Sequence, residues 1–406
     1  MLRETENNIL KTVEGLLRDT NALHGEDAIP VRSWDEFESD THTIACYVKN
    51  NALVALSLRY CGLTALPESL GQLACLQRLD VTGNRLTTLP ESLGSLHHLH
   101  ELYADANQLT SLPTSFGNLP QLKAIHVDAN SLTTFPVQLC QLHQLETLRM
   151  YNNQLSALPA NIAQLTQLKD FSVGNNRLTS LPDALWQLTN LHTLNIAENQ
   201  LPALSEHIDN LINLHMLDVA HNQLTMLPTS LGKLTNLTSF LYLSNNQLTT
   251  LPESLFENLR NLTYLNITDN HLTTLPANIG KLTSLKELRL YNNTLTTLPA
   301  SLCDLTKLKE LHMMNNKLTT LPESLGTLTS LTHLDLRNNQ LSALPQSLGM
   351  LSNLRHLDLR ANRLIALPSS IGNLTQLEKL DLRWNKLSST PTWFEQLEMR
   401  GCAILL

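Results

Sequence analysis

From Leu53 onward, apolar and polar positions follow one pattern, LxxLxLxxNxLxxLPxxLgxLxx, with a 23-residue period. Its first leucine stands at Leu53, Leu76, Leu99 and so on to Leu377, fifteen repeats in all. In "LHTLNIAEN" (191–199) the apolar residues Leu194 and Ile196 alternate with polar ones, which predicts a short strand with one buried face. An asparagine follows each strand from Asn84 to Asn385, and its amide can both donate and accept where the backbone leaves the strand. In "LTTLPESLGSL" the proline ends the extended segment, after which Leu93 and Leu96 turn back toward the core. No repeat can bury its leucines alone, so neighbours must stack. The predicted fold is an α/β solenoid with a parallel sheet on its concave side.

Departures from the pattern carry their own expectations. The repeat beginning at Leu237 has 25 residues, with one extra residue near Phe240 and another near Phe256, so a local bulge is expected there. Cys61 replaces the first ladder asparagine and Ser205 replaces the proline after Leu204. Exposed end leucines would aggregate, so both ends need caps. Residues 1–32 read as an acidic, partly helical segment in which Ile9, Leu10, Val13, Leu16 and Leu17 share a face, either a cap or a docking segment. Residues 33–52 read as the N-terminal cap, where Ser33 and Glu36 open a helix running toward Tyr47 and Val48. The array spans 53–391. Residues 392–406 read as a C-terminal cap: a helix covering the core with Trp393, Phe394 and Leu397, a break at Gly401, and an edge strand "CAILL". Four residues follow Cys402, one too many for a prenylation box, so that cysteine is assigned to the strand.

The "LPxxLgxL" form resembles the intracellular subclass of leucine-rich repeat proteins found in Ras-group scaffolds of animals and plants and in prokaryotic arrays, some joined to Roc-type GTPase domains. The resemblance covers residues 53–397. It implies a leucine-rich repeat horseshoe that binds other proteins on its concave face, with a small GTPase or its regulator the first partner class expected.

Composition narrows the rest. The formal charge is −8, but residues 1–52 hold ten acids against five bases, leaving about −3 for the remaining chain. Binding to nucleic acid, which draws on excess Lys and Arg, is not expected. The six cysteines are scattered without a CxxC pair and read as reduced thiols. The start "MLRETENNIL" lacks a basic region followed by an apolar stretch, and no apolar run is long enough to span a membrane, so a cytoplasmic location is expected. Phosphate-loop, HExxH, GxSxG, calcium-loop and kinase signatures are absent. No enzymatic activity, cofactor or small-molecule ligand is expected. The leading function is a non-catalytic scaffold or adaptor for a folded protein. The alternatives are a secreted bacterial effector or host-protein-binding sensor, and a non-catalytic fragment of a larger enzyme.

Counting from the first leucine of a repeat, positions +2, +4, +6 and +7 should face the concave side, with neighbouring strands ~4.8 Å apart. Tyr60, Tyr103, Tyr151, Tyr242, Tyr264 and Tyr291 fall at or beside these positions, and tyrosine is enriched in interfaces. Toward the front, Glu101, Tyr103, Asp105, His126, Asp128, Arg149 and Tyr151 form an acidic and aromatic patch. Asp105 and Asp128 share a column and are expected to be a pair of solvated carboxylates; an open sheet offers no enclosed pocket for glycosidase chemistry. Toward the back, Arg337, Arg360 and Arg383 form one column beside Asp335, Asp358 and Asp381, either neutralising them or, with Trp384, receiving an acidic partner. Arg289 and His312 complete the candidate surface. His333 and His356 share a column with Glu310, and His312 lies diagonally beside them, a set that could bind a metal ion or respond to pH, but a metal site is not expected on a solvated sheet.

Overall fold

The structure, a computed structural model, describes residues 2–38 and 44–406. The chain divides into two compact units, residues 1–199 and 200–406.

In the first unit helix α1 (Glu4–Asp19) buries Ile9, Leu10, Val13 and Leu17. The Glu6 side chain is almost fully buried, and its carboxylate accepts the Leu53 N–H at 3.2 Å, tying α1 to the first repeat. Helix α2 (Trp34–Glu38) begins with the Ser33–Glu36 pair acting reciprocally: Glu36 Oε2 accepts from Ser33 N at 3.0 Å and Ser33 Oγ accepts from Glu36 N at 3.4 Å. The helix does not continue toward Tyr47 and Val48. Residues 39–43 lie outside the described part, and Ile44–Lys49 instead form strand β1, antiparallel to β2 (Ala52–Leu58). Asn50 and Asn51, both at positive φ (51° and 61°), make the two-residue turn between them. Trp34, Phe37 and Tyr47 cluster against Ala45 and Ala55, closing the first leucine layer.

Three-residue strands then succeed one another in parallel register, for example Glu101–Tyr103 beside Ala124–His126. Each is followed by a 3₁₀ turn such as Glu91–Ser95, which Pro90 precedes and starts by accepting the Leu93 N–H. The strand leucines and most of the other repeat leucines are buried, each contributing roughly 1.5–3 kcal/mol relative to exposure. The asparagine ladder has one geometry throughout. Asn107 Oδ1 accepts the Leu86 N–H at 3.0 Å while its Nδ2 donates to Val81 O of the previous repeat and Ala104 O of its own. The residue before each ladder asparagine lies in the left-handed region, as at Ala106, Asn152 and Asn175. The lower-case glycine of the pattern is steric: a Cβ on Gly94 would stand 2.3 Å from Ser115 of the next turn.

The second unit repeats this construction from Met216–Asp218 to Lys379–Asp381. Ser205, in place of proline, caps its turn by accepting the His207 N–H. The 25-residue repeat produces no bulge in the ladder. Phe240–Tyr242 pairs in unbroken register with Met216–Asp218 and with Tyr264–Asn266. The first extra residue is taken up before the strand. The second lies where an α-turn, α3 (Ser254–Asn258), stands in place of a 3₁₀ turn. Helix α4 (Phe394–Met399) covers the last layer with Phe394 and Leu397, Gly401 turns the chain at φ +91°, and Ala403–Leu405 pairs in parallel with Lys379–Asp381. Cys402 is buried at the start of this return, its thiol pushed up to about 11 by burial, which places it in the core. No helix among the described residues is long and apolar enough to cross a membrane.

Candidate protein-binding surface

Alternation along each strand sends the central residue into the core and leaves its two neighbours on the strand face. Glu101 and Tyr103 flank buried Leu102 in this way. The structure brings the front patch together as a linked set. Arg78 lies 4.7 Å over the Tyr103 ring and 3.5 Å from Glu101, while the Tyr103 hydroxyl donates to Glu101 at 3.1 Å. His126 packs on Tyr103 with ring centroids 4.7 Å apart, and Arg149 pairs with Asp170 at 2.6 Å. Burial pushes Tyr103 up to about 12 and His126 down to about 4, so His126 is neutral at physiological pH.

Asp105 and Asp128 are not the solvated pair expected. Both are partly buried, and each commits one oxygen to the next repeat, just past its strand: Asp105 Oδ1 accepts the Asp128 N–H at 2.7 Å, and Asp128 Oδ1 accepts the Tyr151 N–H at 2.6 Å. Burial raises Asp105 to about 7 and Asp128 to about 6, more than these hydrogen bonds lower them. Tyr151 reaches along the face to Glu198, donating at 2.5 Å. Its ring crosses Gly174, where a Cβ would stand 2.8 Å from it.

In the second unit Tyr242 and Tyr264 join with Phe240 in a cluster whose centroids are 5.1–5.8 Å apart. Phe240, 41% exposed, is absent from the sequence-based set. The inserted residue hides it, and aligning "SFLYL" with "HMLDV" would have placed it opposite Met216 on the strand face. Arg289 lies 5.6 Å over the Tyr264 ring and bonds Glu287 at 2.5 Å. Tyr291 stands two residues beyond that strand, half-buried. His312 meets Glu310 at 3.1 Å, and His333 stacks on His356 at 4.5 Å.

The back patch is a neutralised ladder. Arg337 pairs with Asp335 (3.3 Å), Arg360 with Asp358 (2.6 Å) and Asp381 (3.3 Å), and Arg383 with Asp381 (2.7 Å). Burial pushes Asp381 up, but the hydrogen bonds from Arg383 and the charges of Arg360 and Arg383 outweigh it and hold the carboxyl below its usual range. Trp384, 70% exposed and at φ +61°, stands beside Arg383. These arginines are therefore already partnered, and the exposed apolar element of this patch is Trp384.

Comparison with known proteins agrees with the repeat geometry. Family profiles described as "Leucine-rich repeat region" match residues 36–131 and 246–343, "Leucine rich repeat" matches 329–387, and "Leucine Rich repeats (2 copies)" matches 212–253. A leucine-rich repeat protein of Leptospira interrogans is 34% identical with a TM-score of 0.80, over 86% of this chain and 94% of that one. The plant peptide hormone receptor RGFR1, solved in complex with RGF2, is 27% identical with a TM-score of 0.62, over 84% of this chain and 64% of the receptor. Toll of Drosophila, solved in a complex with Spatzle, is 26% identical with a TM-score of 0.64, over 79% of this chain and 49% of that one. A search of curated proteins finds no match. The leucine-rich repeat fold is generally a protein–protein interaction module. With its ladder, its strands and a relative sharing a third of its residues over most of both chains, this chain belongs to the leucine-rich repeat family.

Proposed function

We propose that this protein is a non-catalytic cytoplasmic adaptor that recognises a folded protein on its strand face. The observation that carries the reading is the Phe240–Tyr242–Tyr264 cluster: three large, stiff side chains in mutual contact on an otherwise polar sheet, flanked by Arg289 and Glu287. Aromatic anchors with a charged rim are how interfaces concentrate their affinity. Tyr103 and His126, Tyr151, and Trp384 extend the surface within their own units. The face offers little for catalysis, because its best-placed carboxylates are engaged by backbone N–H groups or arginines. A cytoplasmic site is supported by the six unpaired cysteines, five of them buried thiols. A small GTPase or its regulator is the partner class to test first, and that choice rests on the "LPxxLgxL" resemblance alone.

The test is capture of partners from native lysate by the wild-type chain and by a Phe240→Ala, Tyr242→Ala, Tyr264→Ala variant whose circular dichroism matches wild type. Loss of three adjacent anchors should weaken a bound partner by at least about tenfold. A partner held equally by both proteins would move the interface off this cluster.

A further inference from the structure

Beyond partner recognition, and independent of it, we propose that Glu287, Glu310 and His312 form a divalent transition-metal site on the strand face of the second unit. One ligand atom from each lies within 4.8 Å of the other two. The strands that carry them, Glu287–Arg289 and Glu310–His312, are adjacent, parallel and in register, with Glu287 opposite Glu310 and Arg289 opposite His312. The backbone under the site is thus held by the ladder, and only side-chain torsions need to adjust. Ligands around zinc stand roughly 3.3 Å apart, as bonds of about 2.0–2.1 Å at tetrahedral angles require. The three side chains are between about a quarter and two-fifths exposed, free enough to close that gap.

The ligand chemistry selects the ion. One imidazole and two carboxylates suit zinc and its first-row neighbours, whereas magnesium and calcium call for six or more oxygens. His312 meets Glu310 through Nε2 at 3.1 Å, so an ion inserted between them would replace a hydrogen bond already pointing along the coordination direction. Arg289 Nε holds Glu287 through Oε1, which leaves Oε2 for the metal and orients the carboxylate as outer-shell donors do. A recess of about 230 Å³ shares His312 with the triad and runs away from it toward His333, His356 and Lys379. His333, opposite Glu310 in the strand register, stands one strand beyond and is assigned no ligand role.

Calorimetric titration of the full chain with zinc chloride, in a buffer that does not chelate, tests the assignment. The expected result is one saturable site, weakened about tenfold or more by His312→Ala and by Glu287→Gln, with no corresponding heat from magnesium. Circular dichroism of each variant separates lost ligands from lost fold. Should zinc give no saturable heat, the site does not exist. Binding that survives His312→Ala and vanishes with His333→Ala would equally overturn the triad, placing the metal among the stacked histidines instead.

Discussion

In the first unit Asp105 and Asp128 stand at position +6 and accept N–H groups from the following repeat; in the second, Asp335, Asp358 and Asp381 stand at +4 with arginines at +6 beside them. Both columns are partly or fully buried, and burial pushes Asp105, Asp128, Asp335 and Asp381 up. What separates them is the neighbouring column. Asp381, contacted by two guanidinium groups, is held below the usual range, whereas Asp105, with Asp80 and Asp128 among its neighbours, is raised to about 7. Asp335 at the near end of the ladder is raised, since burial outweighs the single Arg337 beside it. A carboxyl on this face is thus raised by burial or held down according to whether enough guanidinium groups meet it: none bonds Asp105, one meets Asp335 and is outweighed, and two meet Asp381 and prevail.

Asp381→Ala tests the paired column most severely. It removes the fully buried carboxylate that Arg360 and Arg383 share and should cost about 2–3 kcal/mol at neutral pH, below the range for a fully enclosed pair because both arginines retain access to water. Chemical denaturation would read this as a lower midpoint, and an unchanged midpoint would break the contrast. Its sign with pH follows from the depressed carboxyl: the contribution is present above the ordinary aspartate range and is lost as pH falls through the folded value.

Asp105→Asn should act in the opposite direction. The folded chain holds a proton on Asp105 up to about pH 7 while the unfolded chain releases it near pH 4, so the wild-type protein loses stability as pH rises across that window. An asparagine keeps an oxygen for the Asp128 N–H and carries no charge. Thermal melts should show the variant more stable by about 1–2 kcal/mol above pH ~7 and indistinguishable near pH ~4. Equal stability at both pH values would mean that Asp105 ionises normally.

Asp335→Asn, at the ladder's less compensated end, should change stability by less than about 1 kcal/mol, the range of a partly exposed ion pair. A cost approaching that of Asp381→Ala would show that the ladder acts as one cooperative network.

The period, the strands, the asparagine ladder and the helix-strand ending at Gly401 and Cys402 were legible in the sequence because each repeats, or terminates, a pattern with one physical meaning. Strand β1 also had a local signal: Asn50-Asn51 between apolar runs is the composition of a two-residue hairpin turn, whereas the Ser33–Glu36 helix start says nothing of where its helix ends. Phe240 was hidden by counting from the first leucine across an insertion. The state of Asp105 and Asp128 had no such signal, since it depends on depth in the face and on N–H groups a full repeat away. The candidate surface was legible as columns of side chains. Which members were spent on one another, as the arginines at 337, 360 and 383 are, became visible only with distances.

The 25-residue repeat has a practical consequence. Strand register and the asparagine amides are preserved through it, while the outer turn takes up added length at Ser254–Asn258. The outer rim is therefore a permissive seam in the sense of protein engineering: an epitope tag or a reporter spliced at this turn would be tolerated where the same insertion between Leu241 and Asn246 would sever the ladder.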